Sequence, residues 1–209
     1  MSTTIYSLNE VHMQVILPSE FKIKVVDKKK QSITEPNFVN AGYFTPLGDG
    51  TTYPVGNLIV DGKIVSDSAG SPSWINLSNK HLTTLIVYND NRLEMKRVGD
   101  LSEVKDAKYA ISGIPILRDG YAVKKDKVLE EGYFGSELYD TWHSFLGIRH
   151  DKLVVVGAKC NHTQMPYLME VLGILDCIKL DGGGSFITKS GDFTQKTSEN
   201  RRIHNIITW

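Results

Sequence analysis

Val11-His-Met-Gln-Val-Ile-Leu17, then Pro18-Ser-Glu20, then Phe21-Lys-Ile-Lys-Val-Val26 is the stretch whose pattern decides the fold class. In the second run Phe21, Ile23 and Val25 fall on one side, Lys22 and Lys24 on the other. A period of two marks a half-buried strand, because successive side chains of extended backbone point to opposite faces. Pro18 closes the first run, since a residue without an N–H cannot continue a ladder.

The signature repeats along the chain. Asp61-Gly62 separates two apolar runs at 57–60 and 63–65, the strongest short hairpin signal. Asn89-Asp90-Asn91 and His150-Asp151 divide two further pairs, 82–88 from 92–97 and 145–148 from 153–156. One segment breaks the pattern: Met165, Leu168, Met169 and Leu172 stand at i, i+3, i+4 and i+7, with Pro166 in the first turn and Gly173 at the end. Those spacings make one buried helical stripe. Strands resume at 177–180 and 203–207, and the polar stretch 189–201 reads as an exposed loop. The expectation is an α+β fold over 1–209, a single domain dominated by antiparallel and mixed β-hairpins with one main helix near 164–173.

Composition narrows the function. The chain has 209 residues, 24 basic and 24 acidic, so no basic excess points to duplex nucleic acid. Lys28-Lys29-Lys30 reads as a solvated turn between strands. Cys160 and Cys177 form no CxxC pair and sit beside apolar residues, which predicts reduced core thiols. No apolar run reaches the roughly 18 residues that span a bilayer, and the first residues lack a signal-peptide pattern. The expected localisation is cytoplasmic, with no membrane partner.

Two stretches carry chemistry. In Asp181-Gly-Gly-Gly-Ser185 each glycine costs roughly 0.5–1 kcal/mol relative to alanine within an element. Such a run suits a backbone that needs positive φ or a close approach, and its successive N–H groups can converge on an anion beside the Asp181 carboxylate. A tight turn with a solvated aspartate is the other reading. The run is neither a GxxxxGK[ST] loop nor GxGxxG before a helix. In Asn40-Ala-Gly-Tyr-Phe44, Gly42 permits unusual backbone and the Asn40 amide can donate and accept. An Asx turn would use the same residues.

Taken in order, Asn40 to Phe44, Pro54-Val-Gly56 with Asp61-Gly62-Lys63, Gly113-Ile-Pro115-Ile116 with Asp119-Gly120, Leu172-Gly173, Leu180 to Ser185 and Arg202-Ile-His-Asn205 resemble the phosphodiester glycosidase family. That family includes the uncovering enzyme of lysosomal sorting and many bacterial proteins from exopolysaccharide clusters. The resemblance spans about residues 11–209. Two departures stand out. His143-Ser144 occupies the place of the family's arginine-threonine pair, and Val156-Gly-Ala-Lys159 replaces a turn ending in arginine. A bidentate phosphate grip is therefore missing where the family has it, and Arg149 would point elsewhere.

The resemblance implies a hydrolase that cleaves a glycosyl phosphodiester, with a sugar-phosphate or nucleotide-like substrate. Asp181 is the expected carboxylate near the anomeric carbon. The N–H groups of Gly182, Gly183, Gly184 and Ser185, with Lys159 and His143, are the expected phosphate donors. His143 could also serve as a general acid, and Asn40 would orient the sugar or the attacking water. Gly42, Tyr43, Trp142, Ser144 and His204 complete the expected substrate-binding set, with Trp142 and Phe145 as an aromatic wall. No cofactor or metal is expected, since His162 and Cys160 lack a third and fourth ligand. The expected partner is a small molecule, and an oligomer is compatible with the sequence. Loss of the arginines favours an alternative, a phage-encoded protein that binds and sequesters such a ligand without cleaving it. A structural protein that has kept the fold is a third reading.

Overall fold

A computed structural model describes residues 10–73, 77–133 and 140–209 and the backbone path of residues 3–8. In chain order its strands are β1 (Thr3–Leu8), β2 (Val11–Ile16), β3 (Lys22–Lys29), β4 (Asn37–Asn40), β5 (Phe44–Pro46), β6 (Thr52–Pro54), β7 (Leu58–Val60), β8 (Lys63–Ser66), β9 (Leu82–Tyr88), β10 (Leu93–Val98), β11 (Ala107–Ser112), β12 (Ile114–Arg118) and β13 (Tyr121–Ala122). Helix α1 (Lys125–Glu130) precedes β14 (Thr141–Arg149) and β15 (Lys152–Cys160). Helix α2 (Gln164–Val171) leads to β16 (Asp176–Gly182), β17 (Ile187–Ser190), β18 (Phe193–Lys196) and β19 (Arg202–Thr208).

The strands build a seven-stranded sheet, β1-β2-β15-β14-β16-β12-β13, and two five-stranded sheets, β10-β9-β11-β7-β8 and β18-β17-β4-β19-β3. A two-stranded ribbon, β5-β6, stands apart. Among the described residues every strand pairing is antiparallel. The fold is thus α+β with sheets dominant, as the alternating runs predict.

Local chemistry explains the connections. Asp61 and Gly62 have φ of 47° and 74°, and Asp119 and Gly120 have 52° and 80°. Both central residues of a type I′ hairpin turn need that region, and it matches the twist of the flanking strands. Helix α2 buries Met165 and Met169, and Leu168 and Leu172 pack on the same cluster. It ends as a Schellman motif: Gly173 at φ 71° donates to the Glu170 carbonyl at 2.9 Å and Ile174 to that of Met169 at 3.0 Å.

The three large sheets meet in one apolar cluster that includes Ile23, Val39, Leu85, Ile111, Val155, Ile178 and Ile207. A second cluster lies between the seven-stranded sheet and the helices, with Phe145, Val156, Met165 and Cys177. Both cysteines are free and buried, and burial pushes the Cys160 thiol up to about 12. No helix among the described residues is long and apolar enough to cross a membrane.

Two sequence expectations need correction. The polar stretch 189–201 holds strand β18, paired with β17 through Ser190↔Phe193. β18 lies at a sheet edge and exposes most of its side chains, so no apolar alternation betrays it. The main helix is α2, as expected, and the short α1 adds one buried residue, Val128, too few to write a stripe. Lys30, read as solvated, is 1% exposed.

Candidate functional site

Asp181 sits where β16 leaves the seven-stranded sheet and meets β4. Its N–H donates to the Ala41 carbonyl at 2.9 Å, and its own carbonyl accepts from Asn40 Nδ2 at 2.9 Å. The Asn40 Oδ1 accepts from Ser144 Oγ at 2.8 Å and from the Ile187 N–H at 3.1 Å. One buried amide therefore ties β4, β14, β16 and β17 together and fixes the backbone on which the Asp181 carboxyl stands. That carboxyl accepts from the Gly182 N–H at 2.8 Å. Burial raises its pKa, against the opposing pull of a Ser185 hydrogen bond and the Lys179 charge.

The glycines are used for space and conformation. A Cβ on Gly182 would stand 2.6 Å from the Trp142 carbonyl oxygen and 2.8 Å from His143 Nδ1. Gly183 has φ 56°, a region that costs other residues strain. The chain then makes a short 3-10 turn, Gly183–Ser185, closed by Phe186 N–H donating to the Gly183 carbonyl at 3.0 Å.

Asp181 and Ser185 open onto a cleft of about 450 Å³, whose other walls are Phe44, Pro46, Gly50, Thr51, Thr52, Arg201 and Arg202. Two guanidinium groups thus reach this cleft, from the approach to the terminal strand and its first residue. Arg201 Nε donates to Glu199 Oε2 at 2.5 Å. Arg202 clamps Asp27, Nε at 2.7 Å and Nη2 at 3.4 Å, and Thr52 Oγ1 donates to the same carboxylate at 2.6 Å. The Arg202 bond holds the Asp27 carboxyl below the usual carboxylate range. Each arginine keeps further N–H groups beyond these contacts, the fork that suits an oxyanion. Among the described residues no group of three or more His, Cys, Asp or Glu side chains is arranged to hold a metal ion.

The remaining expected residues divide by location. Gly42 donates to Asn205 Oδ1 at 2.7 Å, and Asn205 Nδ2 approaches His204 Nδ1 at 3.0 Å. An amide nitrogen only donates, so His204 accepts on Nδ1. Burial lowers its pKa, and it is 5% exposed and does not line the cleft. Tyr43 receives a 2.7 Å hydrogen bond from Lys179 Nζ. Ser144 is fully buried with its hydroxyl on Asn40. His143 is 2% exposed and lies against Gly182 in the register.

Lys159 and His143 do not converge. Lys159 pairs with Trp142 across β14 and β15, so it shares that residue's face while His143 takes the opposite one. Its ammonium stands 3.6 Å from Glu10. Trp142 stacks on Phe186 with ring centroids 5.0 Å apart, and His12 and Phe193 extend that aromatic group. The expected wall of Trp142 with Phe145 therefore splits, because Phe145 lies in the core cluster beneath α2.

Sequence reasoning gave no site role to Arg201, Arg202, Lys179 or Lys30. Cys177-Ile-Lys179-Leu-Asp181 carries a cation two residues before the candidate carboxylate, a signal available in the sequence. Lys179 is 2% exposed, and its charge reaches Asp181.

A family model for phosphodiester glycosidases matches residues 37–208, and the chain belongs to this family. It is similar in structure to the zebrafish N-acetylglucosamine-1-phosphodiester alpha-N-acetylglucosaminidase catalytic domain auto-inhibited by its pro-peptide. The TM-score is 0.75 at 16% identity, over 100% of this chain and 81% of that one. A Synechocystis protein gives 0.63 at 10% identity, over 99% of this chain and 61% of that one. A predicted exported protein of Burkholderia pseudomallei gives 0.68 at 9% identity, over 95% and 73%. No curated protein matches the chain significantly.

Proposed function

We propose that this phosphodiester glycosidase-family protein hydrolyses a small glycosyl phosphodiester in the cleft beside Asp181. The observation that carries the reading is the convergence of Asp181, Ser185, Arg201 and Arg202 on one cleft of about 450 Å³. The phosphate would lie against the free guanidinium N–H groups and the amides of the glycine turn. The sugar or base would lie against Phe44 and Pro46. Water then attacks the anomeric carbon, and Asp181 takes its proton. The carbon–oxygen bond to phosphate breaks, and its electron pair leaves with the phosphate. A phosphate leaving group is stable enough to depart without the acid that an alcohol requires, so one carboxylate suffices. Asn40, Ser144 and His143 act by holding Asp181 and Gly182 in place.

One observation favours a second reading, a protein that sequesters the same ligand. Among the described residues that line the cleft Asp181 is the only carboxylate, whereas glycoside hydrolysis commonly uses two. The test is incubation with a panel of glycosyl phosphodiesters, nucleotide sugars included, followed by mass spectrometry after denaturation. Many turnovers that stop in Asp181→Asn support hydrolysis. An intact ligand recovered at about one per chain sinks hydrolysis and leaves sequestration. No product and no bound ligand would sink both.

A further inference from the structure

Behind the glycine turn sits a cation that does not line the cleft. The Lys30 ammonium donates to the Gly184 carbonyl at 2.8 Å, to Thr197 Oγ1 at 2.8 Å and to the Phe186 carbonyl at 3.4 Å. Thr197 accepts from Lys30 and turns its own hydroxyl proton toward the Gly183 and Gly184 carbonyls, at 3.0 and 3.1 Å. Its N–H reaches the Phe186 carbonyl at 3.3 Å. Three carbonyls of the 183–186 segment are thus drawn to one side by one buried cation and one threonine.

In a turn of helical type the N–H and C=O groups of each peptide point in opposite directions along the axis. The Gly183 and Gly184 carbonyls share their peptide planes with the Gly184 and Ser185 N–H groups, so holding these carbonyls behind the turn turns those two amides the other way, and Ser185 lines the cleft with Asp181. Burying an ammonium costs desolvation, and an apolar side chain of similar volume often stabilises a fold as well. A lysine here therefore needs a reason beyond packing, and the set of its acceptors supplies one.

We propose that Lys30, acting with Thr197, is a positioning residue that aims the Gly184 and Ser185 amides at an anion in the cleft, so that phosphate affinity depends on a lysine that does not reach the ligand. This rests on the reading of the cleft as a phosphate site. The test is calorimetric titration with inorganic phosphate of the wild type, Lys30→Met, Thr197→Val and the double variant. Amide hydrogen exchange of residues 182–186 is followed in each. In Lys30→Met, affinity falls about tenfold and these amides exchange about tenfold faster, while exchange in β9 and α2 stays as in the wild type. Thr197→Val shifts both readouts the same way by less, and the double variant falls short of the sum because the two residues form one network. Thr197→Val carries the test if Lys30→Met fails to fold. Wild-type affinity with unchanged loop exchange in the variants would make Lys30 a purely structural residue and overturn the proposal. A wild type that binds no phosphate overturns the cleft reading itself, and this inference with it.

Discussion

Two carboxyl groups of this molecule have their pKa values pushed the same way, yet their surroundings fit them for opposite tasks. Burial raises the pKa of both Asp181 and Glu131. Glu131 is 2% exposed beside a smaller cleft of about 280 Å³ that Arg97, Arg118, Lys124 and Lys127 also line. Both its oxygens are occupied: Oε2 by the Thr83 N–H at 2.7 Å, Oε1 by Thr83 Oγ1 at 2.7 Å and Arg97 Nε at 3.4 Å. Asp181 has local donors on Gly182 and Ser185 and faces the larger cleft beside two arginines. A shifted pKa thus marks burial in both places, and access to the carboxyl separates a reactive group from a strut.

The sharpest way to break that comparison is Asp181→Asn against Glu131→Gln. Asp181→Asn should lower turnover by on the order of 10²–10⁴-fold, the usual range for a lost acid–base group, while Glu131→Gln leaves turnover as it is. The sign of the stability change follows from the raised pKa. A carboxyl whose pKa is higher folded than unfolded gives stability that is full below the ordinary carboxylate pKa. That contribution is lost as pH rises through the raised value. At neutral pH Asp181→Asn should therefore melt higher than the wild type, and the difference should vanish in acid. Turnover of the wild type should rise with pH through the same ionisation, above the ordinary carboxylate range. A pH profile unchanged in the variant would remove Asp181 from the chemistry, and equal melting temperatures at every pH would mean that folding does not raise its pKa.

The arginines give the next largest effect. Removing a charged bidentate donor from phosphate should weaken binding about 10–100-fold in Arg202→Ala, and about as much in Arg201→Ala. Lysine should recover only part of it, because a point donor cannot reproduce the fork. Titration with inorganic phosphate checks both. Lys159→Ala, which removes a cation facing Glu10, should bind as the wild type does. A larger loss in Lys159→Ala than in Arg202→Ala would return the phosphate to the face of Trp142.

What the sequence made legible follows a physical line. Alternation and turn chemistry act over a few residues, so the strands, the Asp61-Gly62 hairpin and the stripe of α2 could be read directly. Asp181 and the glycines could also be read, because three glycines cost too much entropy to stand without a backbone reason. The rest depends on distant partners. Arg201 and Arg202 reach the cleft because β19 pairs between β3 and β4, and Lys30 is buried because residues 183–197 fold over it. Nothing within the run Lys28-Lys29-Lys30 tells its third member from its first two.

On stability alone the order reverses, and Glu131 becomes the more costly residue. Glu131→Gln replaces one acceptor oxygen with an NH₂ group that must face either the Thr83 donors or Arg97. A buried donor left unmatched costs about 1–3 kcal/mol, which outweighs the relief that removing a carboxyl of raised pKa gives at neutral pH, and is measurable there as a lower denaturation midpoint. A midpoint equal to the wild type's would mean that the Thr83 pair adds nothing to the fold and that Glu131 is free for another task.

The smallest effects separate two adjacent glycines. At Gly182 an added methyl meets the Trp142 carbonyl at 2.6 Å, and backbone cannot move aside without shifting β14. Gly182→Ala should cost about 1–3 kcal/mol, as overpacking does, and should also weaken phosphate binding by displacing the turn that follows. At Gly183 nothing lies within 4 Å of a Cβ, and only the φ of 56° resists. Gly183→Ala should therefore cost about 1 kcal/mol of conformational strain and leave the neighbouring contacts in place. Denaturant midpoints of the two variants order the costs. If Gly183→Ala proved the more damaging, the close packing of β16 against β14 would not be what holds the turn, and the left-handed residue would be its essential feature.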